Sequence, residues 1–361
     1  MTWWRSSTYA RAAMALSQLS LALHSAQAAA NISSQTVQEK KAQDESANLR
    51  VARKGTSIHE KKNNANSGAK SKSGENNDAA YFAYDQGQYL TALKLAKEAA
   101  QRGSAAAHTL AGRIYAEGRG VPQDFKKAAD WYARGAKLGD VNARFSYGLL
   151  LVEGRGVKKD WSKAAEMFER AAMTGHAAAN YNLGLLFLSG KGKPENLYRG
   201  AKHIEYAAQK GIPAAQYELA GLYQSGTGVP NDALQASTWL ARAANAGMGS
   251  AQFEYGVLLL RGLGLKSDAP RAIEYLLMAA KQGVAGAQNR LAHVYAEGAG
   301  VDKNLKEAAK WSFIAKSNGM TDLSIDQKLV KLSKKDRQAA EVLASEWTEK
   351  NKFHVPDAAL R

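Results

Sequence analysis

The chain of 361 residues carries 49 Lys and Arg against 33 Asp and Glu, a formal charge of +16, and contains no cysteine. The missing thiols exclude a disulfide-stapled fold, a thiolate metal site and a lipid-modified N-terminal cysteine. A chain of this length can bury a core without such staples.

At the N-terminus, Arg5 and Arg11 precede the apolar stretch Ala12 to Leu23, which holds only three polar residues. Ala26-Gln27-Ala28 follows. A basic start, a short apolar core and an A-x-A site predict a secretory signal peptide over residues 1–28, with cleavage after Ala28 or Ala30 equally compatible. The apolar stretch falls short of the ~20 residues that a membrane-spanning helix needs, so no transmembrane segment is expected in the mature chain. An uncleaved anchor, or an alanine-rich start with no targeting role, is the competing arrangement. Export to the periplasm is the expectation, and release from the cell stays open, because the leader alone does not separate the two.

Residues 29–78 are rich in Lys, Glu, Asn, Ser and Gln, and periodic apolar residues vanish. Such a composition cannot bury enough surface to offset its ordering entropy, which predicts a disordered linker. It is locally basic, with Arg50, Arg53, Lys54, Lys61, Lys62, Lys70 and Lys72. It is either a solvated spacer or a contact for anionic cell wall or lipid headgroups.

Folded structure is expected from Ala79. Tyr81, Phe82 and Tyr84 lie on a short helix, Gln86-Gly87-Gln88 turns the chain, and Ala92, Leu95, Ala96, Ala99 and Ala100 start a second helix that ends near Gly103. From there a fixed period takes over. Gly118, Gly154, Gly190, Gly226, Gly262 and Gly298 stand 36 residues apart, each with a second glycine two residues on. Gly103, Gly139, Gly175, Gly211, Gly247, Gly283 and Gly319 keep the same step. Self-similarity at such a period marks a repeat array, in which neighbouring units supply one another's core.

Each unit reads as two helices. Helix A carries small residues at Ala107, Ala143, Ala179, Ala215, Ala251 and Ala287, then Ala111, Tyr147, Leu183, Leu219, Tyr255 and Leu291 four residues on. Spacings of four place these on one face. The neighbouring small column, such as Gly112, Gly148 and Gly184, lets another helix approach closely. The first loop glycine suits a left-handed helix terminus. An aliphatic residue such as Val121 or Val157 folds back as a plug. Asp124, Asp160, Asn196, Asp232, Asp268 and Asn304 read as N-caps of helix B. Its expected inner face includes Ala128, Ala164 and Ala272, with Trp131, Met167, His203, Trp239, Tyr275 and Trp311 as its large column. After the last repeat, Ser333-Lys334-Lys335-Asp336 reads as a capping box, and Ala340, Leu343 and Trp347 form one stripe. Residues 320–352 are expected to be capping helices, with 353–361 frayed.

The pattern is clearest from Ala287 to Gly319, with Leu291, Tyr295, Gly298, Gly300, Val301, Asn304, Ala308, Trp311 and Ala315. It resembles the Sel-one-like repeat, a cousin of the tetratricopeptide repeat. The resemblance implies an all-α, right-handed α-solenoid over residues 79–319, with six full hairpins between a partial N-terminal hairpin and a C-terminal capping helix. It also implies a non-catalytic adaptor that assembles complexes. Lys193-Pro194 in place of the plug valine, with Gly200 and His203, are local departures.

Apparent chemical motifs fail their context. The Gly-x-Gly loops follow helices rather than strands and lack the third glycine of a dinucleotide site. Ser67-Gly68-Ala69-Lys70 has no K-T-G or S-D-N companion and lies in the linker. The histidines never pair at i, i+4 as a metal-binding helix would need. No cofactor, metal or catalytic activity is therefore expected. Without a recognised nucleic-acid motif, and with a leader for export, no nucleic-acid partner is expected either.

If helix A lines the concave face, as the resemblance implies, one column is the candidate site for a protein or peptide: Thr109, Phe145, Tyr181, Tyr217, Phe253 and Asn289. Leu149, Leu185, Gly221 and Val257 follow four residues on, with Glu153, Ser189, Ser225 and Arg261 near the loops. Aromatics carry interface energy, yet the same column could pack between hairpins as core. A polar column that includes Asn180, Gln216 and Gln252 could bind a ligand's backbone or cross-link repeats. The rival function is binding or hydrolysis of cell-wall fragments, with Glu218 and Glu254 as candidate carboxylates. A secreted, host-interacting role is a third.

Overall fold

The computed structural model describes residues 71–351. The signal peptide, most of the linker with its Ser67 and Lys70, and the 353–361 tail lie outside the described residues. The chain divides into two compact units, Met1–Asn196 and Leu197–Arg361. Among the described residues every regular element is a helix. The first unit holds α1 (Ser71–Asp85), α2 (Tyr89–Gln101), α3 (Ala105–Glu117), α4 (Phe125–Lys137), α5 (Val141–Glu153), α6 (Trp161–Ala172) and α7 (Ala177–Ser189). The second holds α8 (Leu197–Gln209), α9 (Pro213–Ser225), α10 (Ala233–Asn245), α11 (Gly249–Arg261), α12 (Ala269–Lys281), α13 (Ala285–Glu297), α14 (Leu305–Ser317), α15 (Leu323–Leu329) and α16 (Lys334–Lys350). Consecutive helical hairpins of this kind make an α-solenoid. The first helix reaches back to Ser71, into the stretch assigned to the linker.

Helix ends follow the local chemistry. The first loop glycine of each repeat is left-handed, as at Gly118 with φ 67°. Asp124 and Asp160 accept hydrogen bonds of 2.9 Å from the amides of Lys127 and Lys163, closing the first turns of α4 and α6. Asp232, Asp268 and Asn304 do the same for α10, α12 and α14.

Two small-residue contacts set how the helices stack. Within a hairpin, a Cβ on Gly148 would lie 2.6 Å from the Phe168 ring, and one on Gly112 would lie 2.7 Å from Tyr132. Between hairpins, the second loop glycine rests on the first residue of the preceding helix B. A Cβ on Gly156 would stand 2.2 Å from the Phe125 carbonyl oxygen, and one on Gly228 would stand 2.1 Å from that of Leu197.

Phe168 is fully buried, and Tyr132, Ile204, Leu240 and Leu276 share its position in their repeats and its burial. The expected large column is interior only at Met167, Trp239 and Trp311, while Trp131, His203 and Tyr275 are half-buried. The buried sector of helix B is broader than one column. Its centre lies one residue further on, opposite the small column of helix A.

At the ends, the Tyr84 hydroxyl on α1 donates to Glu117, and α16 packs on α14 with Trp311 and Trp347 edge to face at 5.2 Å. Ser333 caps α16 by accepting from the Asp336 amide at 3.1 Å. The shorter α15 touches both α13 and α14.

Gly156→Ala and Gly103→Ala separate two costs in one unit. Both positions have positive φ, but Gly103 has open space where a Cβ would go. Gly103→Ala is expected to lose about 1–2 kcal/mol from left-handed backbone alone. Gly156→Ala is expected to lose about 3 kcal/mol or more, because a neighbouring carbonyl must also move. Urea unfolding followed by far-UV circular dichroism measures both.

Candidate functional site

The candidate column occupies the fifth residue of each helix A. In the first unit, Thr109 is buried, and its hydroxyl donates to Asp140 Oδ1 at 2.7 Å. Phe145 is half-buried, with its ring centroid 5.9 Å from Phe168 and 4.7 Å from His176. Asp140 and His176 cap the next helix A, accepting from the amides of Ala143 and Ala179. Tyr181 is half-buried. In the second unit, Tyr217 is half-buried and donates to Glu254 Oε1 of the next helix A at 2.6 Å. Phe253, also half-buried, covers Gly286, where a Cβ would lie 3.1 Å from the ring. Asn289 is buried and donates to Asp322 Oδ2 at 2.9 Å.

Different residue types thus do one job at this position: Thr109, Phe145, Tyr217, Phe253 and Asn289 each lean on the following helix or its cap. Core and groove are not exclusive here. Phe145, Tyr217 and Phe253 each brace the following helix A or its cap and leave part of the ring accessible.

Four residues further on the units differ. Leu149 and Leu185 are buried, while Gly221 and Val257 are half-buried. Glu254 is engaged by Tyr217, and Glu218 is half-buried.

The polar column has a specific structural role. Asn180, Gln216, Gln252 and Gln288 are buried, and their side-chain amides donate 3.1–3.4 Å to the carbonyls of Ala172, Ala208, Ala244 and Ala280. Each acceptor lies at the end of the preceding helix B, where carbonyls lack intrahelical partners. Arg144 reaches Ala136 in the same way. The amides of Asn180, Gln216 and Gln252 are therefore committed to joining one repeat to the one before it.

A polar cluster at the last repeat was not anticipated. Asp322, the N-cap of α15, accepts from Asn289 and lies 2.9 Å from His293 Nε2. Lys328 of α15 pairs with Glu297 and stands 3.5 Å from His293 Nδ1, and Lys316 pairs with Asp326 at 2.6 Å. A short helix thus lies against the fifth, ninth and thirteenth positions of α13. The hydrogen bond to His293, and then that from Asn289, hold the Asp322 carboxyl well below the usual carboxylate range. The one hint in the sequence is a spacing: Asn289 to Asp322 spans 33 residues, against 31 for Thr109 to Asp140.

Against known proteins, the Sel1 repeat family matches residues 105–140, 141–176, 177–212, 213–248, 249–284 and 285–320. The chain belongs to the Sel1-repeat family. A protective antigen of uropathogenic Escherichia coli with an SLR fold is 28% identical over 78% of this chain and 61% of its own, with a TM-score of 0.65. The match therefore spans about three-fifths of that protein. A Sel1 repeat protein from Oxalobacter formigenes is 27% identical over 68% of this chain and 99% of its own, with a TM-score of 0.60. A comparison with curated proteins returned no match. Proteins of this family are generally non-catalytic scaffolds for protein–protein interaction. Among the described residues no helix is long and apolar enough to cross a membrane.

Two substitutions test the joints. Gln288→Leu removes a buried donor to Ala280 and an acceptor for the exposed Asn318. It is expected to cost about 1–3 kcal/mol, read by urea unfolding. Asp322 has a depressed folded-state pKa, so its contribution is present above the unfolded carboxylate value near ~4 and is lost as pH falls through the folded value. Asp322→Asn is expected to lower the melting temperature at pH 7. Its deficit against wild type should shrink as the pH drops well below ~4.

Proposed function

We propose that this chain is an exported, periplasmic, non-catalytic scaffold that holds another polypeptide along its helix-A surface. The observation that carries the proposal is the half-buried state of Phe145, Tyr181, Tyr217 and Phe253. Each is a large ring on a helix that ends on a left-handed glycine, with part of its surface accessible. Rigid aromatic groups of this kind lose little entropy on binding and serve as anchors. Val257 and Gly221 offer a shallow apolar floor beside Tyr217 and Phe253 in the second unit, and Ser225 and Arg261 supply polar groups near the loops. Asn180, Gln216 and Gln252, proposed with them from sequence, would support these anchors from beneath.

Export rests on Arg5, Arg11, the apolar stretch to Leu23 and Ala26-Gln27-Ala28. The basic linker would then offer a contact for anionic cell wall or lipid headgroups.

In-cell photo-crosslinking tests the binding surface. The reactive residue replaces Ser250, an exposed residue at the start of α11, with a control at Lys281, exposed at the end of α12. A discrete protein adduct is expected at Ser250 and not at Lys281. Adducts at both positions, or at neither, would count against the helix-A surface. The mass of the mature chain checks export: it should begin at Ala29 or Asn31.

A further inference from the structure

Along the first unit, the residue between the two loop glycines is a cation in every repeat: Arg119, Arg155 and Lys191. Each lies over the aromatic ring that opens the second helix of the preceding hairpin. The Arg119 guanidinium is 5.3 Å from the Tyr89 ring centroid and donates to the Tyr89 hydroxyl at 2.8 Å. Arg155 is 3.8 Å from Phe125, and Lys191 is 5.1 Å from Trp161. Lys159 adds a second cation over Trp161 at 4.6 Å. The result is a row of stacked cation–aromatic pairs, one per repeat.

This row is not required for stacking the hairpins. In the second unit the same glycine contact occurs at Gly228 on Leu197 and at Gly264 on Ala233. There the middle loop residues are Thr227, Leu263 and Ala299, with no cation and no ring beneath. The backbone solution is shared, and the charged edge belongs to the first unit alone.

The cations remain available. Glu117 and Glu153 pair with Arg119 and Arg155 at 2.7 and 3.3 Å, yet both arginine side chains stay 43% exposed. Lys191 and Lys158 are exposed as well. Stacking fixes one side of each cation and points the other outward, which lowers the ordering cost when an anion arrives.

We propose that this edge of the first unit docks an extended acidic segment of a partner polypeptide. The cations form a single row, which suits a linear chain better than the plane of a membrane. Helix layers repeat at ~10 Å and an extended peptide advances ~3.3 Å per residue, so an acidic residue at every third position meets one cation per repeat. Nucleic acid fits less well, because its bases need open aromatic faces to stack on, and here the faces are taken by cations. The surface is separate from the helix-A column, so either proposal can fail alone.

The test uses the full chain and a fluorescein-labelled poly-glutamate peptide, with binding read by fluorescence anisotropy at low and raised salt. The variant Arg119→Gln/Arg155→Gln/Lys191→Gln is compared with Arg134→Gln/Lys137→Gln/Arg170→Gln, which removes the same charge from exposed helix surfaces of the same unit. The row variant is expected to weaken binding about tenfold or more and the control less than about threefold. If thermal melts show that the row variant is destabilised, Lys158→Gln/Lys159→Gln replaces it, with an expected loss of about threefold or more. Equal losses in row and control variants would reduce the effect to net charge and overturn the proposal. Unchanged binding in the row variants would overturn it too. Tighter, equally row-dependent binding of oligothymidine or phosphatidylglycerol vesicles would assign the edge to another partner class.

Discussion

A loop glycine lying against a backbone carbonyl sets the geometry on which the other contacts depend. Where Gly156 meets Phe125, or Gly228 meets Leu197, there is no room for a Cβ. The loop can therefore settle at one height on the preceding hairpin. Once that height is set, the amide of Gln216 falls within reach of the Ala208 carbonyl, the plug residues meet the core, and the fifth residue of helix A meets the next helix. Shifting one contact by a residue would break the others, because packed interiors deform little. The unbroken 36-residue step of the glycines follows from this shared geometry.

The interior and the surfaces divide the work. Fully buried alanines at Ala107, Ala143, Ala164 and Ala171 bring helices close, and single large residues such as Phe168 fill what remains. These positions stabilise without choosing a partner. On the proposed function the choice would fall to residues that the packing holds but does not cover: the fifth-position rings and, in the first unit, the cations of the loops. At the C-terminus a different solution appears. The helix-B side of the last repeat is closed by apolar packing of α16, and its helix-A side by α15, which joins the polar contacts of Asp322 and Lys328 to the buried side chains of Ile325 and Leu329.

Much of the fold was legible in the sequence. Gly118 and its counterparts announce a left-handed terminus, and Asp124 and Asp160 announce caps, because each has a local reason to be there. The large column of helix B was placed one residue early, since a broad buried sector and alanine-rich turns make Trp131 and Tyr132 equally good candidates by spacing. The second loop glycine was visible but unexplained, because its partner is the backbone of another hairpin. The polar column could be narrowed to two roles and no further, because acceptor carbonyls carry no sequence signature. The Asp322 cluster was missed for the opposite reason: it occurs once, and a reading built on repetition is blind to what does not repeat.

The side-chain links between hairpins described here all join neighbours, whether they span eight residues, as from Gln216 to Ala208, or 31, as from Thr109 to Asp140. No repeat has to recognise anything beyond the next one. Length is thus a free variable in this architecture. Cutting out one whole glycine-framed segment inside a unit, or inserting one, would present each new junction with the surfaces it already fits, while the end caps would not sense the change. Evolution by unequal duplication can then lengthen or shorten the helix-A surface in whole steps without redesigning a core.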